Sequence, residues 1–167
     1  MRFVVTGEWR KNDLLRLVIF MFLVFVVLFW VTNALLYFNS MSLDPQRVAE
    51  HYLGKKSEWA DPVPRSYKVL LEITHAHVFA MAILIMTMTH LVLFVPAPGW
   101  AKASLTIVTF GSALLNEASG WLIRYWHRSF AWLKITMFLL FQLALFGIIV
   151  ILLLALFKGW RNAYNDK

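Results

Sequence analysis

The 167-residue chain has no cysteine, so its own residues can hold no disulfide, thiolate-bound zinc, iron–sulfur cluster or covalently attached c-type haem. Five prolines and seven glycines are too few for a loop-rich chain. Charged residues are scarce at 15%, where soluble domains average about 25%. In their place stand 60% hydrophobic and 16% aromatic residues, with a mean hydropathy of +0.66. This balance excludes disorder, collagen-like structure and most soluble folds. Also missing are a glycine-rich phosphate loop, an H-E-x-x-H metalloprotease motif and a G-x-S-x-G nucleophile elbow. The repeats and interrupted helices of a transporter are absent as well. The formal charge of +7 calls for no nucleic acid, because basic loops facing lipid headgroups account for it.

A bilayer core about 30 Å thick takes roughly 20 apolar residues per helix. Four segments reach that length, at residues 14–38, 69–95, 103–125 and 130–157. The first is too long for a signal-peptide core and lacks a small-x-small cleavage site, so it reads as a retained helix. The first and fourth are almost wholly apolar and read as lipid-facing cladding. The second and third carry Glu72, His75, His77, His90, Asn116 and Glu117, and polar groups at membrane depth normally face inward. Trp30, Tyr37, Trp100, Trp121, Trp126, Trp132 and Trp160 sit near segment ends and read as interfacial anchors.

The only sizeable loop, residues 39–68, holds a short helix over 45–53. Asp44 is its N-cap, Pro45 lies in its first turn and Gly54 just past its end, while Val48 and Tyr52 form an apolar side. Pro62 and Pro64 break the chain before the second span. The other connections are short, so neighbouring spans run antiparallel. The expected fold is all-α: a single integral-membrane domain, an up-down four-helix bundle with a short extramembrane helix in the first loop. Lysine and arginine divide eight against eight between the two sides. Four positive charges lie before or in the first turn of the first span, which places both termini in the cytoplasm of a cell whose inner membrane holds the chain.

Candidate chemistry lies on the second and third spans. His75, Phe79, Ala82, Met86 and His90 share one stripe of a regular helix, and His75 and His90 are about 22 Å apart along it. His77 points about 160° away from His75. Measured from the same side of the membrane, His77 and Glu117 are both about 12 Å deep, so a contact between them is expected. His127 lies just past the third span. Imidazoles are the usual ligands for b-type haem and for copper, iron or zinc. His75 with His127 is the most workable haem pair within one chain, His77 is the reserve, and His90 has no histidine partner. The non-haem alternative uses His75, His77 and His127. Glu72-x-x-His75 has the spacing of half a di-iron motif, and Glu117 would supply a bridging carboxylate. Without a metal, Glu72 and Glu117 would orient the imidazoles or accept protons from a quinol.

The Leu71-Glu72-x-x-His75-x-His77 start, the Thr-His90 end, the Leu43-Asp-Pro and His51-Tyr52 loop helix, and the Gly120-Trp121-Leu-Ile-Arg124-Tyr125 run together resemble a group of small bacterial four-helix inner-membrane proteins. The similarity covers residues 43–130. More distantly, the histidine-bearing antiparallel helices resemble membrane b-type cytochromes. Those carry two histidines on each of two helices, whereas the third and fourth spans here have no internal histidine. The clustered histidines and acids point to a small integral-membrane component of an electron-transfer system, with haem b, a non-haem metal or a quinone near the outer membrane face. Expected partners are the lipid bilayer and a redox protein or larger membrane complex, with homo-oligomers as a further arrangement. The alternative is an accessory or assembly subunit whose histidines are structural.

Overall fold

The computed structural model describes residues 12–55 and 63–165, with side chains up to residue 157. Pro62, the basic residues of the extreme N-terminus and the Trp160 side chain lie outside the described residues. Those described form five α-helices and one 3-10 turn: α1 (Asp13–Ser40), α2 (Pro45–Leu53), α3 (Tyr67–Leu93), α4 (Gly99–Tyr125), the turn Arg128–Phe130 and α5 (Ala131–Asn165). No strand occurs among them.

Local chemistry sets most of the ends. Asn12 accepts from the Leu15 N–H, Asp44 from the Gln46 N–H and Ser66 from the Val69 N–H, each capping a helix start. Capping by Ser66 begins α3 two residues before the first apolar residue of its run. Pro45 occupies the first turn of α2. Gly54 follows with φ of 76°, a left-handed backbone suited to glycine, and a Cβ there would meet Pro64 Cδ at 2.6 Å. At the other end α3 stops at Leu93, short of Pro96. Its last N–H groups, on Phe94 and Val95, turn back to Leu91 and Val92.

Among the described residues, three helical stretches are long and apolar enough to cross a membrane: Asp13–Ser40, Tyr67–Leu93 and Arg128–Phe157. α4 has the same 27-residue length as α3 but falls short in hydropathy because of a polar and small-residue stripe. Thr109, Ser112, Ala113, Asn116, Ser119, Gly120 and Ile123 recur at three- and four-residue steps and are all buried. Small side chains let helix backbones approach closely where lipid supplies no hydrophobic drive. Thr109, Ser112 and Ser119 donate their hydroxyls to carbonyls of the preceding turn, so their burial leaves no donor unpaired.

The packing corrects the reading of the fourth span as cladding. α5 is the hub and touches α1, α2, α3 and α4, with its broadest contact against α4. Half of its apolar window is buried inside the protein, compared with 22% for α1. Phe141, Leu145, Ile148, Ile149, Leu152 and Leu156 join Ile19, Leu23 and Val26 of α1 and Met81, Ile85, Met88 and Val92 of α3 in the larger core. A smaller core gathers Val48, Ala49 and Tyr52 of α2 with Leu70, Ile123, Ala131 and Ile135. α2 therefore lies over the end of the helices where α1 stops and α3 starts.

Candidate functional site

Beneath α2 lies a cavity of about 390 Å³. Its walls come from five helices: Asn33 and Tyr37 of α1, His51 and Tyr52 of α2, Thr74 and His77 of α3, Asn116, Glu117 and Trp121 of α4, and Lys134 and Phe138 of α5. Arg65, on the strap between α2 and α3, completes the wall. Much of the surface is aromatic. Tyr37 stacks on Phe138 with ring centroids 3.6 Å apart, and Trp121 packs edge-on against Tyr67 and stacks with Tyr125.

The expected contact between His77 and Glu117 is present. His77 Nδ1 lies 3.4 Å from Glu117 Oε1, and the Glu117 side chain is only 13% exposed. α3 and α4 are joined by a five-residue turn, so equal depth in the two antiparallel helices brings these residues opposite one another. Next to them Trp121 Nε1 donates to Thr74 Oγ1 at 2.8 Å and fastens α4 to α3 at the same level. Trp121 is thus a wall residue of the cavity, where the sequence suggested an interfacial anchor.

Lys134, within the fourth apolar segment, is a site residue that the sequence analysis does not single out. It is buried to 6% exposure, and its Nζ donates to the Asn116 carbonyl at 2.9 Å. The Tyr52 ring lies 5.9 Å from the same Nζ. Its signal was a lysine four residues into an otherwise apolar helix. Asn116 is 8% exposed, and its side-chain Oδ1 has no hydrogen-bond partner. A buried acceptor left open on a cavity wall is costly unless a donor arrives there.

A polar strap holds α2 over the cavity. Arg65 donates from its guanidinium to His51 Nε2 at 3.2 Å, and its backbone N–H donates to the Tyr52 carbonyl at 3.1 Å. Arg124 Nε donates in turn to the Arg65 carbonyl at 2.8 Å. Because a guanidinium only donates, His51 Nε2 is the acceptor and the ring proton sits on Nδ1, directed to the Ser40 backbone. Burial, together with the Arg65 charge, pushes the His51 imidazole below its ordinary pKa and so favours its neutral form. Burial likewise raises the Tyr52 phenol well above its usual range, helped by the Glu117 charge. His51, in the last turn of α2, is thus a structural part of this strap.

Of the six residues singled out from the sequence, the fold brings only His77 and Glu117 together. His75 is exposed on α3. His90 is exposed at the far end of that helix, edge-on to the Phe94 ring. Glu72 is exposed and lies 3.8 Å from Lys68 one turn away. His127 caps the 3-10 turn, where its Nδ1 accepts from the Ser129 N–H and meets the Ser129 hydroxyl. His75, His77 and His127 do not form the expected three-histidine metal site, because helical rotation turns His75 away from His77 and His127 is engaged at the turn. No group of three or more histidines and acids able to hold a metal ion occurs among the described residues.

The molecule so defined is an all-helical membrane protein with a polar, aromatic-walled cavity under a short capping helix. Residues 42–163 match the family Aq_1264_TM, described as a transmembrane helical domain, and the chain belongs to that family. No curated protein and no solved structure matches the chain.

Proposed function

We propose that the chain is a quinol-binding membrane component of an electron-transfer system. The carrying observation is the His77–Glu117 pair on the wall of a 390 Å³ cavity that combines aromatic side chains with further polar groups. A quinol donates two hydroxyl protons, and a quinone accepts at the same two oxygens. The wall supplies both kinds of partner: Glu117 and the open Asn116 Oδ1 accept, while Arg65 and Lys134 donate. Oxidation of a quinol to a quinone releases two protons and two electrons. The His77–Glu117 pair takes one proton and the other passes to water. The two electrons leave one at a time to a one-electron redox protein docked on the membrane.

In this reading α4 is a fourth span, which completes an up-down four-helix bundle with both termini in the cytoplasm. The cavity then lies toward the outer face of the inner membrane. A second reading, a membrane subunit seated in a larger complex or a homo-oligomer, is favoured by His75 and His90. Both imidazoles are exposed on α3, where lipid gives them no partner.

The test uses the full chain in detergent with a benzoquinol carrying one isoprene unit, kept reduced under anaerobic conditions. Saturable binding is expected. Glu117→Gln is expected to weaken the quinol by about tenfold or more, as loss of a hydrogen bond to a charged acceptor does. The same change affects the quinone less, because glutamine can donate to it. Absence of saturable binding of either form refutes the proposal.

A further inference from the structure

Glu117 belongs to two spaces. Besides the polar cavity, it closes one end of a second recess of about 230 Å³ between α3 and α4. That recess is apolar, lined by Val78, Met81, Ala82, Phe110, Gly111 and Leu114. Val78, Ala82 and Leu114 are exposed, so it opens outward along the sides of the two helices toward lipid. Its depth comes from small residues. A Cβ added at Gly111 would meet nothing within 4 Å. A polar pocket for a ring thus adjoins, across the one residue they share, an apolar trough beside the helices. Asn116, nine-tenths buried with its Oδ1 unpartnered, independently marks the polar end as awaiting a ligand donor.

We infer that the trough between α3 and α4 holds the hydrocarbon tail of the ligand whose head occupies the polar cavity, so that the ligand is a long-chain, lipid-borne molecule entering sideways from the bilayer. This rests on the quinol reading for the nature of the head. Tail and lipid are equally apolar, so the trough contributes through close packing and not through escape from water. Its effect therefore shows as a preference between tail lengths.

The experiment compares binding of two benzoquinols, one with a single isoprene unit and one with several, to the full chain and to two variants that fill the trough from opposite walls, Gly111→Leu and Ala82→Leu. For each probe the variant is compared with wild type in the same detergent, so that partitioning cancels. Either variant is expected to lose about tenfold for the long-tailed probe relative to wild type while keeping its affinity for the short one. Retained short-probe binding also shows that a variant is folded. If both variants leave the long-tailed affinity unchanged while the short probe binds, the trough inference is overturned and the quinol reading stands. A change of oligomeric state on filling the trough, with tail preference unaltered, overturns it in favour of a second copy as occupant. If neither probe binds the wild type, the quinol reading fails and the inference fails with it.

Discussion

Two glycines in α4 should respond to alanine with opposite signs. At Gly120 an added Cβ would meet Tyr52 Cε1 at 3.0 Å and both Cζ and the hydroxyl oxygen at 3.3 Å. The Tyr52 ring would have to give by a few tenths of an ångström, yet it is 7% exposed, its carbonyl is held by the Arg65 N–H and Lys134 faces its ring. Overpacking of this kind costs about 1–3 kcal/mol. Replacing glycine by alanine within a helix returns up to about 1 kcal/mol. With the ring so confined, the cost belongs in the upper part of its range, and Gly120→Ala is expected to destabilise by about 1–2 kcal/mol. For a chain of this size that is a fall of about 3–6 °C in Tm. At Gly111, where nothing lies within 4 Å, only the helix term acts, and Gly111→Ala is expected to raise Tm by about 2 °C. Both are read by tryptophan fluorescence of the full chain during thermal unfolding in one detergent. A Gly120→Ala protein as stable as the Gly111→Ala protein would refute the close seating of α2 on α4.

Three further expectations concern the walls of the cavity. The His51 imidazole is held below its ordinary pKa, so the unfolded chain binds more protons than the folded one as the pH drops below about 6.5. Stability should therefore be full above that pH and decline on acidification. His51→Asn should flatten the decline, and an unaltered slope in that variant would remove His51 as its source. Trp121→Phe should lose about 0.6–1 kcal/mol with the bond to Thr74, seen as a lower Tm. A double-mutant cycle with Thr74→Val should show coupling of that size, and zero coupling would mean the bond contributes nothing. Asn116→Leu removes the open acceptor and should weaken quinol binding in an anaerobic titration without loss of Tm, because the unpaired oxygen is a cost in the empty protein. A variant with lower stability and unchanged binding would show that Asn116 serves the fold.

Features set by neighbours in the chain were legible before any coordinates. Asp44, Pro45 and Gly54 mark both ends of α2, since capping uses groups only a few residues apart. The meeting of His77 with Glu117 was legible too, because a short turn between two long helices leaves little freedom in relative depth. The role of α5 was not. A helix apolar on every side has no pattern to show which neighbour it faces, and the same leucines and isoleucines suit lipid and core alike. Lys134 was hidden for a related reason: its burial depends on α2 and α4 closing over it, which no spacing within α5 reveals. His75 and His127 invite pairing because histidine is a common ligand, but rotation of the helix and capping of the turn separate their surroundings.

Composition and hydropathy alone determine that this is a helical membrane chain, because unbroken apolar runs of about 20 residues cross a bilayer as helices, whose backbone bonds are satisfied within the segment. Tertiary structure decided which polar residues share a space. Glu117, Asn116, Lys134, His77 and the strap of His51, Arg65 and Arg124 come from five separate stretches of chain. They converge because the small-residue stripe of α4 lets it pack closely against α5 while α2 closes the end.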